Sequence, residues 1–196
     1  LETAIYKPDS LASRIKESGL PWIHKAARVK DSLHAEELGA DAVIVVGLEG
    51  VGFKNPEQLP TFINITWGAP QLKVPFIAAG GIGDARGLLG ALAMGAEGIM
   101  MGTAFMATTE CPTNKASKLD MVNSNPDNPR LRWRVLSHAS PKDYAKVIQE
   151  RRDLPLNEWL PMLERIQPNT KDWEGDPNVP EQSRVGSLAV GVLKSV

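Results

Sequence analysis

The chain has 196 residues, enough for one domain with a sizeable core. It is 42% hydrophobic and 23% charged with a formal net charge of −1, so composition gives no electrostatic reason to expect nucleic acid or an anionic membrane as partner. No run approaches the ~20 apolar residues of a membrane span, and a single cysteine, Cys111, excludes an internal disulfide framework and a multi-cysteine metal site.

The opening LETAIYKPDSLASRIKESG has neither the apolar core nor the small-residue cleavage site of a signal peptide, which together with one cysteine predicts a reducing cytoplasm. The chain is expected to open inside a helix, PDSLASRIKESG, with Asp9 or Ser10 as cap and Gly19 as stop, and with no strand before it. LPWIH then reads as a short strand, AARVKDSLHAEELG as a helix ending at Gly39, and DAVIVV as a buried strand. A long loop runs from Gly47 to Pro60. TFINITWGAPQL reads as helix despite its β-branched residues. VPFIAA is the next strand, followed by a helix from Asp84 to Gly95, with Leu88 and Leu92 on one face, and by the strand EGIMM. Apolar strands without alternation, separated by helices, predict βα units on a parallel sheet.

Four such units are legible, whereas a closed (β/α) barrel takes eight in about 250 residues. The sheet is therefore open, or the chain is one half of a barrel. From residue 113 onward the texture turns polar and Pro-rich, with helices expected near 114–123, 141–151 and 156–166. QPNTKDWEGDPNVPEQ reads as loop, and SRVGSLAVGVLKSV as an apolar helix whose small residues allow close packing. Two regions follow: a βα region over 1–112 and a mainly helical extension over 113–196.

Two adjacent strands end in small residues, Ala79-Gly80-Gly81 and Gly102-Thr103. Such ends leave N–H groups bare and admit another molecule close to the backbone. Each feeds a helix N-terminus, the first of them capped by Asp84, so the pair predicts an anion site of favourable dipole sign. The plainer alternative is a pair of tight βα turns.

The stretches WIHKAARVKDSLHAEELGADAVIVVGLEGVGF and PFIAAGGIGDARGLLGALAMGAEGIMMGTAFMATTECP carry a resemblance to the nitronate monooxygenases, a family of FMN-bearing TIM barrels. It covers about residues 20 to 115 and is specific in the elements IHK, GADAV, AGGI and MGTAF. The resemblance implies that the predicted strands are the fifth to eighth of a (β/α)8 barrel. The first four strands would then lie in the same gene product or in a partner chain. It implies FMN as cofactor, with Lys25 against the electron-rich N1–C2=O edge of reduced flavin, where a cation is favourable. Val51 and Gly52 match the loop that passes the isoalloxazine. Ala79, Gly80, Gly81, Gly102 and Thr103 match the phosphate cradle, to which the Thr103 hydroxyl would contribute.

One departure bears on chemistry. Where the family's loop has a proton-abstracting histidine after a glycine, this chain reads EGVGFKNP, with Phe53 at the base position. Phenylalanine accepts no proton, and loss of a positioned base typically removes about 10²–10⁴-fold of rate. Glu49, the nearest ionisable group, is a candidate substitute or a carboxylate that bonds loop amides. His138 is a second candidate if the C-terminal region folds over the mouth. His24 would point to the sheet face opposite Lys25, His34 lies within a helix, and Cys111 has no basic neighbour. RLRWRV, residues 130–135, reads as a solvated face.

Three functions fit. The first is an FMN-dependent oxidoreductase, an NAD(P)H-linked reductase or an enzyme of altered substrate, acting on a small molecule. The second is a phosphate-binding barrel enzyme without flavin. The third is a non-catalytic flavin- or phosphate-binding, scaffolding subunit of a larger complex. Homo-oligomerisation is compatible with each, and no metal site is expected.

Overall fold

A computed structural model describes residues 1–4, 8–50, 57–127 and 188–193. In chain order it has β1 (Glu2–Ala4), α1 (Asp9–Ser18), β2 (Ile23–Ala26), α2 (Val29–Glu37), β3 (Ala42–Val46), α3 (Thr61–Gly68), β4 (Phe76–Ala79), α4 (Ala85–Ala93), β5 (Gly98–Met100), α5 (Thr103–Met106) and α6 (Lys115–Asn123). Short 3-10 turns follow at Ala69–Gln71 and Leu188–Gly191. The five strands form one sheet in the order β1-β2-β3-β4-β5, every neighbouring pair parallel. Sequential order in a parallel sheet follows from βα units that each advance one strand.

The first strand corrects the expectation that the chain opens inside a helix. Glu2–Ala4 pairs with Ile23–Lys25, so the described sheet holds one strand more than the four read from sequence. Three residues are too short to show a pattern, and side-chain bonds compensate. The Thr3 hydroxyl accepts from Trp22 Nε1 at 2.7 Å and lies 2.9 Å from His24 Nδ1. The start of α1 also differs from expectation. Pro8 precedes the helix, Asp9 sits in its first turn, and no side chain caps it.

Alternation divides the sheet into two unlike faces. On the helix side, Val45, Phe76 and Ala78 pack with Val29 of α2, Ile65 of α3 and Ala91 of α4. Val43 joins Ala12, Ile15 and Ala35 from α1 and α2, together with Trp22. Each large side chain so buried contributes about 1.5–3 kcal/mol. On the opposite face, Ile44 and Ala79 are buried, while Ile23, Lys25, Val46, Ile77, Gly98 and Met100 are half-buried. In α4, Leu88 and Leu92 share a face as expected, but the fully buried residue is Ala91, and Leu92 is exposed.

Beyond β5, Ala107 packs with Met121 of α6 and with Val190 and Leu193 of the C-terminal turn. The expected apolar helix at the end of the chain is, where described, this 3-10 turn. The expected helices at 141–151 and 156–166, the loop at 167–182 and the stretch 130–135 lie outside the described residues.

Candidate functional site

The C-terminal ends of β3, β4 and β5 lie side by side, and three short loops leave them. Gly47-Leu48-Glu49-Gly50 follows β3, Gly80-Gly81-Ile82-Gly83 follows β4, and Met101-Gly102 leads from β5 into α5. The first two loops interlock at Thr61. Glu49 Oε2 accepts from the Thr61 amide and hydroxyl, both at 2.8 Å. The same hydroxyl lies 2.9 Å from the Gly80 carbonyl and 3.2 Å from that of Ala79. A Cβ at Gly47 would overlap Thr61, so these loops have no room for a larger residue there.

Gly80 and Gly81 both have left-handed backbone, with φ +100° and +74°. A Cβ at Gly80 would stand 3.1 Å from three backbone atoms of Gly47 and Gly50, and one at Gly81 would stand 3.0 Å from Glu49 Cβ. Only glycine adopts this path without strain. Gly102 differs. Its φ is −108°, and a Cβ there would meet nothing within 4 Å. The N–H groups of Gly81, Ile82 and Gly102 have no acceptor among the described residues. Thr103 is buried at the start of α5, and Ala79 is buried beneath the loops.

The helix N-termini contribute less than expected. Asp84 caps α4, its Oδ1 accepting from the N–H groups of Arg86 at 3.0 Å and Gly87 at 3.2 Å. Its Oδ2 pairs with the Arg86 guanidinium at 2.5 Å. The Arg86 side chain first, then the Gly87 amide, hold the Asp84 carboxyl below the usual carboxylate range. The first turn of α4 is therefore already occupied by a carboxylate, and α5 has only four residues. The donors left for an anion are those of the loops.

Lys25 lies on the sheet face away from the helices, with Nζ 3.3 Å from Glu2 Oε1 on β1. His24 is buried on the helix side, its ring edge-on to Trp22 with centroids 6.1 Å apart. His34 is half-buried, with Nε2 2.9 Å from Asp9 Oδ1. Cys111 Sγ lies 3.2 Å from the Thr113 hydroxyl. Val51, Gly52, Phe53 and His138 lie outside the described residues.

Two anchoring residues were missed in the sequence. The Arg28 guanidinium grips Asp31 through two bonds, at 2.7 and 2.6 Å, and also binds Glu57. The Asp31 bonds outweigh the opposing effect of burial and raise Arg28 further above its ordinary value. Buried Gln58 donates to the carbonyls of Val46 and Gly47 at 2.7 and 3.0 Å. Both fix the returning end of the loop after β3. The three-residue spacing of Arg28 and Asp31 was a readable signal, whereas Glu57 and Gln58 meet their partners only in the fold. Among the described residues no cluster of ligating side chains suits a metal ion, and no helix is long and apolar enough to cross a membrane.

A parallel βα sheet with glycine-lined loops at the carboxyl ends of its strands is the class in which ligands bind at that rim. The nitronate monooxygenase family model matches residues 3–148, and the chain belongs to that family. Proteins named probable nitronate monooxygenase from Staphylococcus aureus strains JH9, N315 and Newman are each 34% identical over 125 residues, covering 59% of this chain and 35% of the relative. The chain thus spans about a third of the length of these curated relatives. Among solved structures, FabK from Thermotoga maritima superposes with a TM-score of 0.69 at 25% identity, over 100% of this chain and 62% of that one. Nitroalkane oxidase from Streptomyces ansochromogenes shares the fold over 61% of this chain and 37% of its own, with a TM-score of 0.54 at 24% identity. The five-stranded sheet accordingly has TIM-barrel-like neighbours.

Proposed function

We propose that this chain is the cofactor-binding C-terminal part of an FMN-dependent oxidoreductase whose chemistry departs from nitronate oxidation. The observation that carries the reading is the rim itself. Gly80 and Gly81 turn left-handed against the loop after β3, and the N–H groups of Gly81, Ile82 and Gly102 lack acceptors among the described residues beside open space at Gly102. Backbone donors converging from two loops suit a phosphate.

When bound, the flavin supplies hydride and single-electron chemistry that no side chain offers. The residues assigned to hold it are Gly80, Gly81, Gly102 and Thr103 at the phosphate, with Ala79 beneath them. The family resemblance assigns Val51 and Gly52 to the ring, and Lys25 would supply a cation on the inner face. The absence of a G-x-G-x-x-G turn between strand and helix favours a mononucleotide over FAD. Phe53 at the base position holds no proton. Glu49 is a poor substitute, because its Oε2 is already engaged by Thr61. This favours an NAD(P)H-linked reductase or an altered small-molecule substrate over a nitronate oxidase. The same substitution suits a second reading, a flavin-binding subunit without catalysis of its own.

The half-buried inner face calls for cover, which the remaining strands of a (β/α)8 barrel would give, from the same gene product or a partner chain. A cytoplasmic setting accords with the single cysteine. Denaturing the full gene product and identifying the released chromophore tests the cofactor. FMN is expected, and FAD or no flavin overturns the assignment. Turnover of NADH or NADPH with artificial acceptors separates the reductase from the non-catalytic subunit.

A further inference from the structure

We propose that the outward face of α3 and α4 is the contact through which two copies of this protein associate about a two-fold axis. α3 buries Thr61, Asn64, Ile65 and Gly68 against the sheet and turns Phe62, Ile63 and Trp67 outward, exposed to 61%, 45% and 53%. α4 buries Ala91 and leaves Leu89 and Leu92 exposed to 65% and 43%. Residues 61–72 and 87–96 contain no charged side chain. A surface helix ordinarily sets polar residues opposite its buried stripe, and one that is apolar all round is a covered helix.

The two helices are neighbours. They follow adjacent strands, Ile65 and Ala91 share a core cluster, and a Cβ at Gly95 would touch Ala69 at 3.7 Å. The five exposed side chains together present on the order of 500 Å² of apolar surface, at the upper end for a monomer. Two such faces brought together remove about 1,000 Å² from water, where specific interfaces begin.

The chemistry of the face selects the occupant. Nucleic acid or an anionic lipid surface needs cations, and Arg86 at the edge of the patch is already paired with Asp84. Strands completing a barrel would add at the β1 and β5 edges and over the inner face, not over the outer side of α3. An uncharged face is self-complementary: a two-fold pairing sets no like charges against each other. Phe62 and Trp67 are the aromatic anchors on which such contacts concentrate.

Sedimentation velocity on the full gene product, across micromolar concentrations, tests the proposal. The wild type should be a dimer. Trp67→Glu should weaken self-association by roughly tenfold or more while far-UV circular dichroism stays unchanged. Leu89→Lys on the other helix serves the same purpose if Trp67→Glu does not fold. A monomeric wild type overturns the proposal, including the case in which another segment of the chain covers the face. So does a dimer that survives the folded variant.

Discussion

Glu49 and Thr61 are joined twice: one carboxylate oxygen accepts from both the amide and the hydroxyl of the threonine, each at 2.8 Å. The pair fixes the loop after β3 to the start of α3. Through the hydroxyl's approach to the Ala79 and Gly80 carbonyls, it also fixes that loop to the end of β4. Thr61→Val removes the hydroxyl while keeping the shape. It should cost about 1–3 kcal/mol in urea unfolding, because the one acceptor that takes the hydroxyl proton loses its donor in a buried setting. Thr61→Ser should recover most of the loss. Equal stability of the valine variant and the wild type would contradict this account.

Gly80 and Gly102 should respond in opposite ways. Gly80→Ala places a methyl 3.1 Å from backbone in a left-handed conformation, at a cost of about 1–3 kcal/mol. Gly102→Leu enters open space at an ordinary φ, and stability should stay within about 0.5 kcal/mol. Flavin retention through gel filtration should nevertheless fall in the Gly102 variant, since the new side chain takes the space assigned to the phosphate. Undiminished retention would remove Gly102 from the cradle.

The cap on α4 should be sensitive to acid. Arg86 and the Gly87 amide hold the Asp84 carboxyl below its unfolded value. The stability it contributes is therefore complete above the ordinary carboxylate range and is lost as pH falls through the depressed native value. Asp84→Asn keeps a cap acceptor but no charge. Thermal melts should show the widest gap between wild type and variant near neutrality, closing as the buffer is acidified. A gap that does not change with pH would mean that the charge plays no part.

Phe53→His should restore turnover of neutral nitroalkanes, by a factor of up to about 10²–10⁴, measured as oxygen uptake. The wild type should act weakly, if at all, on the neutral nitroalkane, while the preformed nitronate bypasses the missing proton abstraction. Robust wild-type turnover of the neutral compound would show that another base serves the site.

Much of this protein was legible in the one-dimensional pattern. Runs such as DAVIVV and VPFIAA mark apolar strands of a parallel sheet, and Asp84 before an apolar helix marks its cap, because periodicity and capping depend on residues close in the chain. The small residues at the ends of β4 and β5 marked the rim for the same local reason. What only the tertiary structure decided depends on residues far apart. The strand Glu2–Ala4 exists through bonds from Thr3 to Trp22 and His24, about twenty positions away. Glu49 could be read as a base until the fold placed Thr61 against it, and Lys25 as a lone cation until β1 brought Glu2 alongside. Gly81 and Gly102 read alike as letters. Only the neighbouring loop, which crowds the first and leaves the second open, tells apart a glycine the fold requires from one that a ligand would require.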